Sequence, residues 1–244
     1  KPSPFDEAVS LTWYLENVFY SSITNIYKYI KSNVFNGEVF DNDIINLGFW
    51  PGGDRDGNPF VTPKITLKVA SRLRATVIKN YYRDARRLRR KLTFEGIEQR
   101  IVTLETELWK IITNKKSSLT VEHFASEMNA IKDIIVDKHQ SLYFNEVNSL
   151  INKIHLFGFH FSTLDIRQDS RAHAAVFNDM VNVMIESGSS SFPENYHDLP
   201  ETDQIEVLSN IKGRVDFDLI TDQLPEKEVV KYIQIDKLSN TIYL

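Results

Sequence analysis

Residues 48–59, Gly-Phe-Trp-Pro-Gly-Gly-Asp-Arg-Asp-Gly-Asn-Pro, hold four of the chain's nine glycines within ten positions, together with Pro51 and Pro59. Ordered glycine is entropically costly, so such a cluster points to positive φ angles or to a close approach of backbone to a neighbour or ligand. Between the glycines lie Asp54, Arg55, Asp56 and Asn58. A guanidinium offers a planar fork that matches phosphate or carboxylate oxygens, and flanking carboxylates can orient it. The alternative is a structural turn in which Asp54 and Asp56 cap the helix that starts near Pro63. The spacing fits neither a P-loop, which needs a following Gly-Lys-Ser/Thr, nor the dinucleotide fingerprint.

A second constellation, Leu164-Asp165-Ile166-Arg167-Gln168-Asp169 with His173 beyond it, follows an alternating stretch that begins at Phe159. In a strand, Asp165 and Arg167 share a face. Charged pairs at strand ends are where α/β barrels keep their ligand sites; a plain salt bridge is the competing reading. The run Arg83–Lys91 is strongly basic. It lies within an apolar helical period and lacks interleaved aromatics, so it reads as a solvated or intersubunit face rather than a nucleic-acid surface. The six histidines are scattered without a two-histidine metal motif, and no elbow glycines surround Ser170.

The elements that must position these groups are mostly helices. Leu11, Leu15, Val18, Ser22, Ile26 and Tyr29 predict a helix over 5–31, capped by Ser3 or Asp6 and packed on more than one side, given its many aromatics. Thr62-Pro63 is a cap followed by proline at the first helical position. From there Ile65, Val69, Leu73, Val77, Tyr81, Ala85, Leu88 and Leu92 predict about seven turns at roughly 3.6 residues each. Further helices are predicted through Ile97–Ile111, from Thr120 through Ile135, and over 142–157, ending at Gly158. Residues 159–167 read as a strand with little in the chain to pair with. Helices follow through Val176–Met184, over 200–211 and from about Glu226.

The chain has 244 residues, a formal net charge of −4 and no cysteine, which excludes disulfides and thiolate chemistry. The charge gives no general argument for a nucleic-acid or membrane partner. No apolar run reaches the roughly 20 residues of a membrane helix, and Lys1-Pro2-Ser3-Pro4 has no signal-peptide design. Without an initiator Met, the chain reads as an internal piece of a longer one.

The two constellations together closely resemble phosphoenolpyruvate carboxylases, whose glycine-rich loop carries Trp-(Met or Pro)-Gly-Gly-Asp-Arg-Asp-Gly-Asn-Pro and whose barrel carries Leu-Asp-Ile-Arg-Gln-Glu-Ser with a trailing His. Phe49 stands where Ser is usual and Asp169 where Glu is usual. The resemblance implies a mainly α fold, with a helical region at 1–157. It also implies that 158–244 begins an incomplete (β/α)8 barrel, as its first βα part. It implies a lyase of the cytoplasm that carboxylates phosphoenolpyruvate with bicarbonate to oxaloacetate and phosphate. The parent is expected to be a homotetramer using Mg2+ or Mn2+, with metal ligands and catalytic His outside this chain. It implies that Arg55, Asp54, Asp56, Asn58, Arg167 and Asp165 bind substrate, and that the fragment alone is inactive. The alternative is a non-enzymatic helical module with an anion or assembly role.

Overall fold

The computed structural model describes residues 2–35, 44–56 and 58–211. The helix predicted over 5–31 forms in two parts, α1 (Pro4–Tyr14) and α2 (Tyr20–Asn33), joined through a π-turn at Leu15–Phe19. Ser3 caps α1 reciprocally: its Oγ accepts from the Asp6 N–H at 3.2 Å, and the Asp6 carboxylate accepts from the Ser3 N–H at 2.9 Å. The π-turn inserts one residue into the period. It rotates the buried stripe away from the predicted Val18, Ile26 and Tyr29, which are exposed, and onto Tyr20, Ile23, Thr24 and Tyr27. The expected packing on several sides is therefore not what forms among the described residues: Trp13, Tyr14, Phe19 and Tyr29 all face outward.

Helix α3 (Pro63–Arg89) is the long central helix, and Thr62 caps it as the sequence predicts. Val69, Leu73, Val77, Tyr81, Ala85, Leu88 and, just beyond its end, Leu92 are all buried. It lies against α1, α4 (Glu98–Ile112) and α6 (Phe144–Phe157), while α5 (Val121–Lys138) lies against α6. Half of the six cations of the basic run are taken up by carboxylates of these neighbours. Arg89 pairs with Glu105 of α4 at 2.8 Å, Lys91 with Glu146 of α6 at 3.0 Å, and Arg83 with Glu16 of the π-turn.

Tyr81 sits at the centre of the bundle. Its ring touches those of Tyr20, Phe124 and Phe159, with centroids 6.2, 5.5 and 6.3 Å away. Its Oη lies 2.8 Å from the Gly158 carbonyl and 3.0 Å from the Lys153 carbonyl, so its one proton is shared between acceptors at the end of α6. Burial, with the Asp84 carboxylate beside it, holds this phenol well above the usual tyrosine range, so it stays a donor.

Helix α6 starts slightly later than the sequence predicts, because Gln140, Ser141 and Tyr143 all take positive φ in the turn before it. The nine-residue strand predicted over 159–167 does not form as such. Phe161 takes φ +74°, and its N–H bonds back to the Phe157 carbonyl at 2.9 Å. This turn carries both Phe159 and Phe161 into the helical core, and the chain becomes extended only beyond it. Continuous strand pairing is confined to β2 (Thr163–Leu164), with an isolated parallel bridge farther on between Asp54 and Arg167. The partner of β2 is β1 (Gly48–Phe49), a parallel neighbour that the sequence reading did not supply.

Beyond β2 come α7 (Ser170–Glu186), a 3-10 turn (Tyr196–Asp198) and α8 (Glu201–Asn210). Val181, Met184, Phe192 and Tyr196 form a hydrophobic cluster separate from the one that runs from Ala8 to Phe161. The chain is thus mainly helical, with a single two-stranded parallel sheet among the described residues. The helix expected from Glu226 lies outside those residues. No described helix is long and apolar enough to cross a membrane.

Replacing Tyr81 with Phe keeps the packing and removes the only donor to the Gly158 carbonyl from this ring. The expected cost is about 1–2 kcal/mol of unfolding free energy, measured by urea denaturation. A change indistinguishable from zero would mean that water or another group takes over the acceptor.

Candidate functional site

The two charged constellations meet through backbone. Thr163 N–H donates to the Leu47 carbonyl at 2.8 Å and Asp165 N–H to the Phe49 carbonyl at 2.9 Å. The ladder then skips the turn at 50–53 and resumes: Arg167 N–H donates to the Gly53 carbonyl at 3.1 Å, and Arg55 N–H to the Arg167 carbonyl at 2.9 Å. The turn itself is closed by the Gly53 and Asp54 N–H groups, both on the Trp50 carbonyl, at 2.9 and 3.1 Å.

This geometry accounts for two of the glycines. Gly52 has φ +84°, and a Cβ there would lie 2.5 Å from Cγ2 of Val69 on α3. A Cβ on Gly53 would lie 2.1 Å from the Asp165 carbonyl oxygen. Both are contacts that real side chains do not make, so the turn is wedged between α3 and the β2 segment without room for a methyl group. Phe49, the departure from the resembled pattern, is buried in the helical core, whereas its neighbour Trp50 is exposed.

Arg55 is 7% exposed and points inward. Its Nη2 donates to Thr66 Oγ1 at 3.3 Å, and that hydroxyl donates in turn to the Gly52 carbonyl at 2.6 Å. Thr66 lies in the first turn of α3, so this chain of bonds ties the loop to the helix start. The sequence reading passed over Thr66; its signal was a hydroxyl one helical turn after the Thr62 cap. The cap itself is Thr62, and not Asp54 or Asp56 as the turn reading had it: Thr62 Oγ1 accepts from the Ile65 N–H at 3.4 Å.

The other predicted residues divide between charge and turn chemistry. Arg167, with a side chain 59% exposed, stands between two carboxylates, 3.8 Å from Asp54 and 3.8 Å from Asp165. Asp54 also accepts from the Asp56 N–H at 3.3 Å, and Asn58 accepts from the Phe60 N–H at 3.2 Å, which are local turns closed by short polar side chains. Asp56 and Asn58 are exposed at the loop's rim.

Asp169 caps α7, accepting from the Arg171 N–H at 2.8 Å and from its guanidinium Nη2 at 2.6 Å. These bonds hold its carboxyl below the usual aspartate range. A shorter carboxylate suits a helix cap, a physical reason for Asp at this place. Upstream of β2, His160 is pushed below the ordinary histidine range by burial and by the charge of Arg74.

The result is one buried guanidinium, Arg55, and one open guanidinium, Arg167, brought to the same turn by shared backbone bonds. Together they can offer donors to an oxyanion. They do not fit a metal ion: the two nearest carboxylates are both drawn to Arg167, and no three His, Asp or Glu side chains converge among the described residues.

A model of the phosphoenolpyruvate carboxylase family matches residues 1–121 and 97–235. The chain belongs to the phosphoenolpyruvate carboxylase family. Among curated relatives it is 23% identical to a phosphoenolpyruvate carboxylase of Prochlorococcus marinus subsp. pastoris, over 86% of this chain and 27% of the relative. It is 24% identical to one of Trichormus variabilis, over 92% of this chain and 26% of the relative. The chain therefore spans about a quarter of the length of the carboxylases it matches.

Gly53→Ala is expected to break the ladder between the glycine-rich loop and β2, at a cost of about 1–3 kcal/mol for overpacking. Amide hydrogen exchange of Asp165 and Arg167 should accelerate far more than that of α5. Unchanged protection of those two amides would show that the turn can absorb a methyl group.

Proposed function

We propose that this chain is the part of a phosphoenolpyruvate carboxylase that helps to hold the phosphate of the substrate. In this reading the parent protein carboxylates phosphoenolpyruvate with bicarbonate, giving oxaloacetate and phosphate. The observation that carries the proposal is the backbone ladder that brings Arg55 and Arg167 to one turn. Both substrates are anions whose charge shifts during reaction, and guanidinium groups already fixed in place stabilise such charge without reorganising solvent. Arg167, open and flanked by Asp54 and Asp165, is the group that meets the phosphate. Arg55 holds the turn from below through Thr66 and adds positive potential. Asp56 and Asn58 shape the rim.

We further infer that β2 is the first strand of a (β/α)8 barrel and that the helical region ends at about residue 157. The separate hydrophobic cluster formed by α7 and the segment after it supports that division. The divalent metal expected of the family would be held by residues other than those described, and so would the catalytic His. A cytoplasmic homotetrameric parent follows from the family resemblance alone.

Two measurements test the reading. The purified 244-residue chain should give no oxaloacetate in an assay coupled to malate dehydrogenase; detectable turnover would overturn its dependence on other segments. In the full-length protein, Arg167→Ala should lower kcat/KM for phosphoenolpyruvate by at least about a hundredfold, the scale for losing one fixed donor to a reacting oxyanion. Because that side chain is open to solvent, folding should be unaffected. An effect below about threefold would return Arg167 to a surface salt bridge.

A further inference from the structure

Helical threonines in this chain spend their hydroxyl on their own helix. Thr12, Thr24, Thr76, Thr103 and Thr106 each donate to the carbonyl four residues back, at 2.6–2.8 Å. Thr66 departs from this habit. The carbonyl four residues back, that of Thr62, lies 3.3 Å from its Oγ1, whereas the Gly52 carbonyl of the glycine-rich loop lies at 2.6 Å. A hydroxyl has one proton, and the shorter contact takes it. The oxygen then presents its lone pairs, and Arg55 Nη2 donates to it at 3.3 Å. Thr66 is 2% and Arg55 7% exposed, so little water competes for these bonds.

The contacts of the loop with the start of α3 act in opposite directions. Val69 is a wall: its methyl groups stop the turn from sinking toward the helix, since a Cβ on Gly52 would already lie 2.5 Å from one of them. A wall sets only a lower limit on the separation. The Thr66 hydroxyl, three residues earlier on the same helix, draws the Gly52 carbonyl in and sets the upper limit. The next carbonyl, that of Gly53, is the acceptor for the Arg167 N–H at 3.1 Å. The height of the turn therefore fixes the level at which Arg167 leaves the ladder, while the same hydroxyl oxygen fixes the head of Arg55.

We propose that Thr66 is a positioning residue for phosphoenolpyruvate. Its hydroxyl sets Arg55 by a direct bond and Arg167 through the turn, and so governs how tightly the substrate phosphate is held. This rests on the reading of those two arginines as the phosphate-holding groups; Thr66 itself touches no substrate. A hydroxyl suits the place because it donates to a carbonyl and accepts from a guanidinium at once. Valine has nearly the same shape and does neither.

The test is steady-state kinetics of the full-length protein. Thr66→Val should raise KM for phosphoenolpyruvate at least about tenfold, the scale for losing hydrogen bonds to a charged group, and Thr66→Ala should do the same. KM for bicarbonate should stay within about twofold, because the change falls on one substrate's binding. Thr66→Ser keeps the hydroxyl and should hold KM for phosphoenolpyruvate within about threefold of the unmodified protein. Thr76→Val makes the same change on the same helix, at a residue 3% exposed whose hydroxyl serves the Arg72 carbonyl. It should lose comparable stability in urea denaturation without moving KM. An unchanged KM in the valine and alanine variants, an equal shift in Thr76→Val, or a serine variant as impaired as the valine one would each overturn the proposal. Arg167→Ala separates that failure from failure of the reading beneath it. If Arg167→Ala loses about a hundredfold in kcat/KM while Thr66→Val loses nothing, the arginines stand and the positioning role falls. If neither changes, both fall.

Discussion

Everything around the candidate site depends on one interaction, the parallel backbone ladder between the loop that begins at Leu47 and the segment Thr163–Arg167. Parallel pairing cannot be made by a tight turn; it needs a long crossover. In this chain the crossover is α3 through α6, a whole helical bundle. Closing so long a loop carries an entropy cost that grows only slowly with length. The bundle offsets it by burying its own core. The bonds of the ladder are each worth only about 1 kcal/mol, so the strands hold because the helices on either side fix where they emerge.

Tyr81 and Gly52 show how that fixing works. Tyr81, on α3, bonds the carbonyls at the end of α6 and so sets where the chain leaves for β2. Val69, on the same helix three turns earlier, fills the space that a side chain on Gly52 would need, and so sets where the loop turns. One helix thus positions both strands, and the Thr62 cap and Thr66 hydroxyl attach its start to the loop. Gly52 and Gly53 are explained by this close fit before any ligand is considered. That fit does not account for the two arginines, Arg55 buried and Arg167 open to solvent.

Much of the bundle was legible in the sequence because its signals are local. A four-residue apolar step and a Thr-Pro cap specify α3, and its predicted stripe is buried from Val69 to Leu92. The stripe of the first helix was misread after Leu15 because a π-turn leaves no mark in apolar spacing. The strand at 159–167 was overextended because Phe159 and Phe161 satisfy an alternating pattern while serving a turn. The charged residues of the site were found by type, but their partners were not. Asp54 belongs with Arg167 across the ladder, a relation fixed only when segments far apart in sequence come together.

The basic run at 83–91 shows why charge in a sequence is a poor guide to partners until its neighbours are placed. Arg83, Arg89 and Lys91 each meet a carboxylate from a different element, so half of the run's six cations brace α3 internally. Such partly exposed pairs contribute little stability individually. Their effect is to orient the helix among its neighbours, while Arg87 meets Asp84 of its own helix at 3.6 Å. The same accounting applies at the loop, where Arg167 is balanced by two carboxylates at 3.8 Å rather than tightly bonded to either. A guanidinium held at that distance keeps its donors available, and it is this looseness, set by the backbone ladder, that suits it to meet an anion.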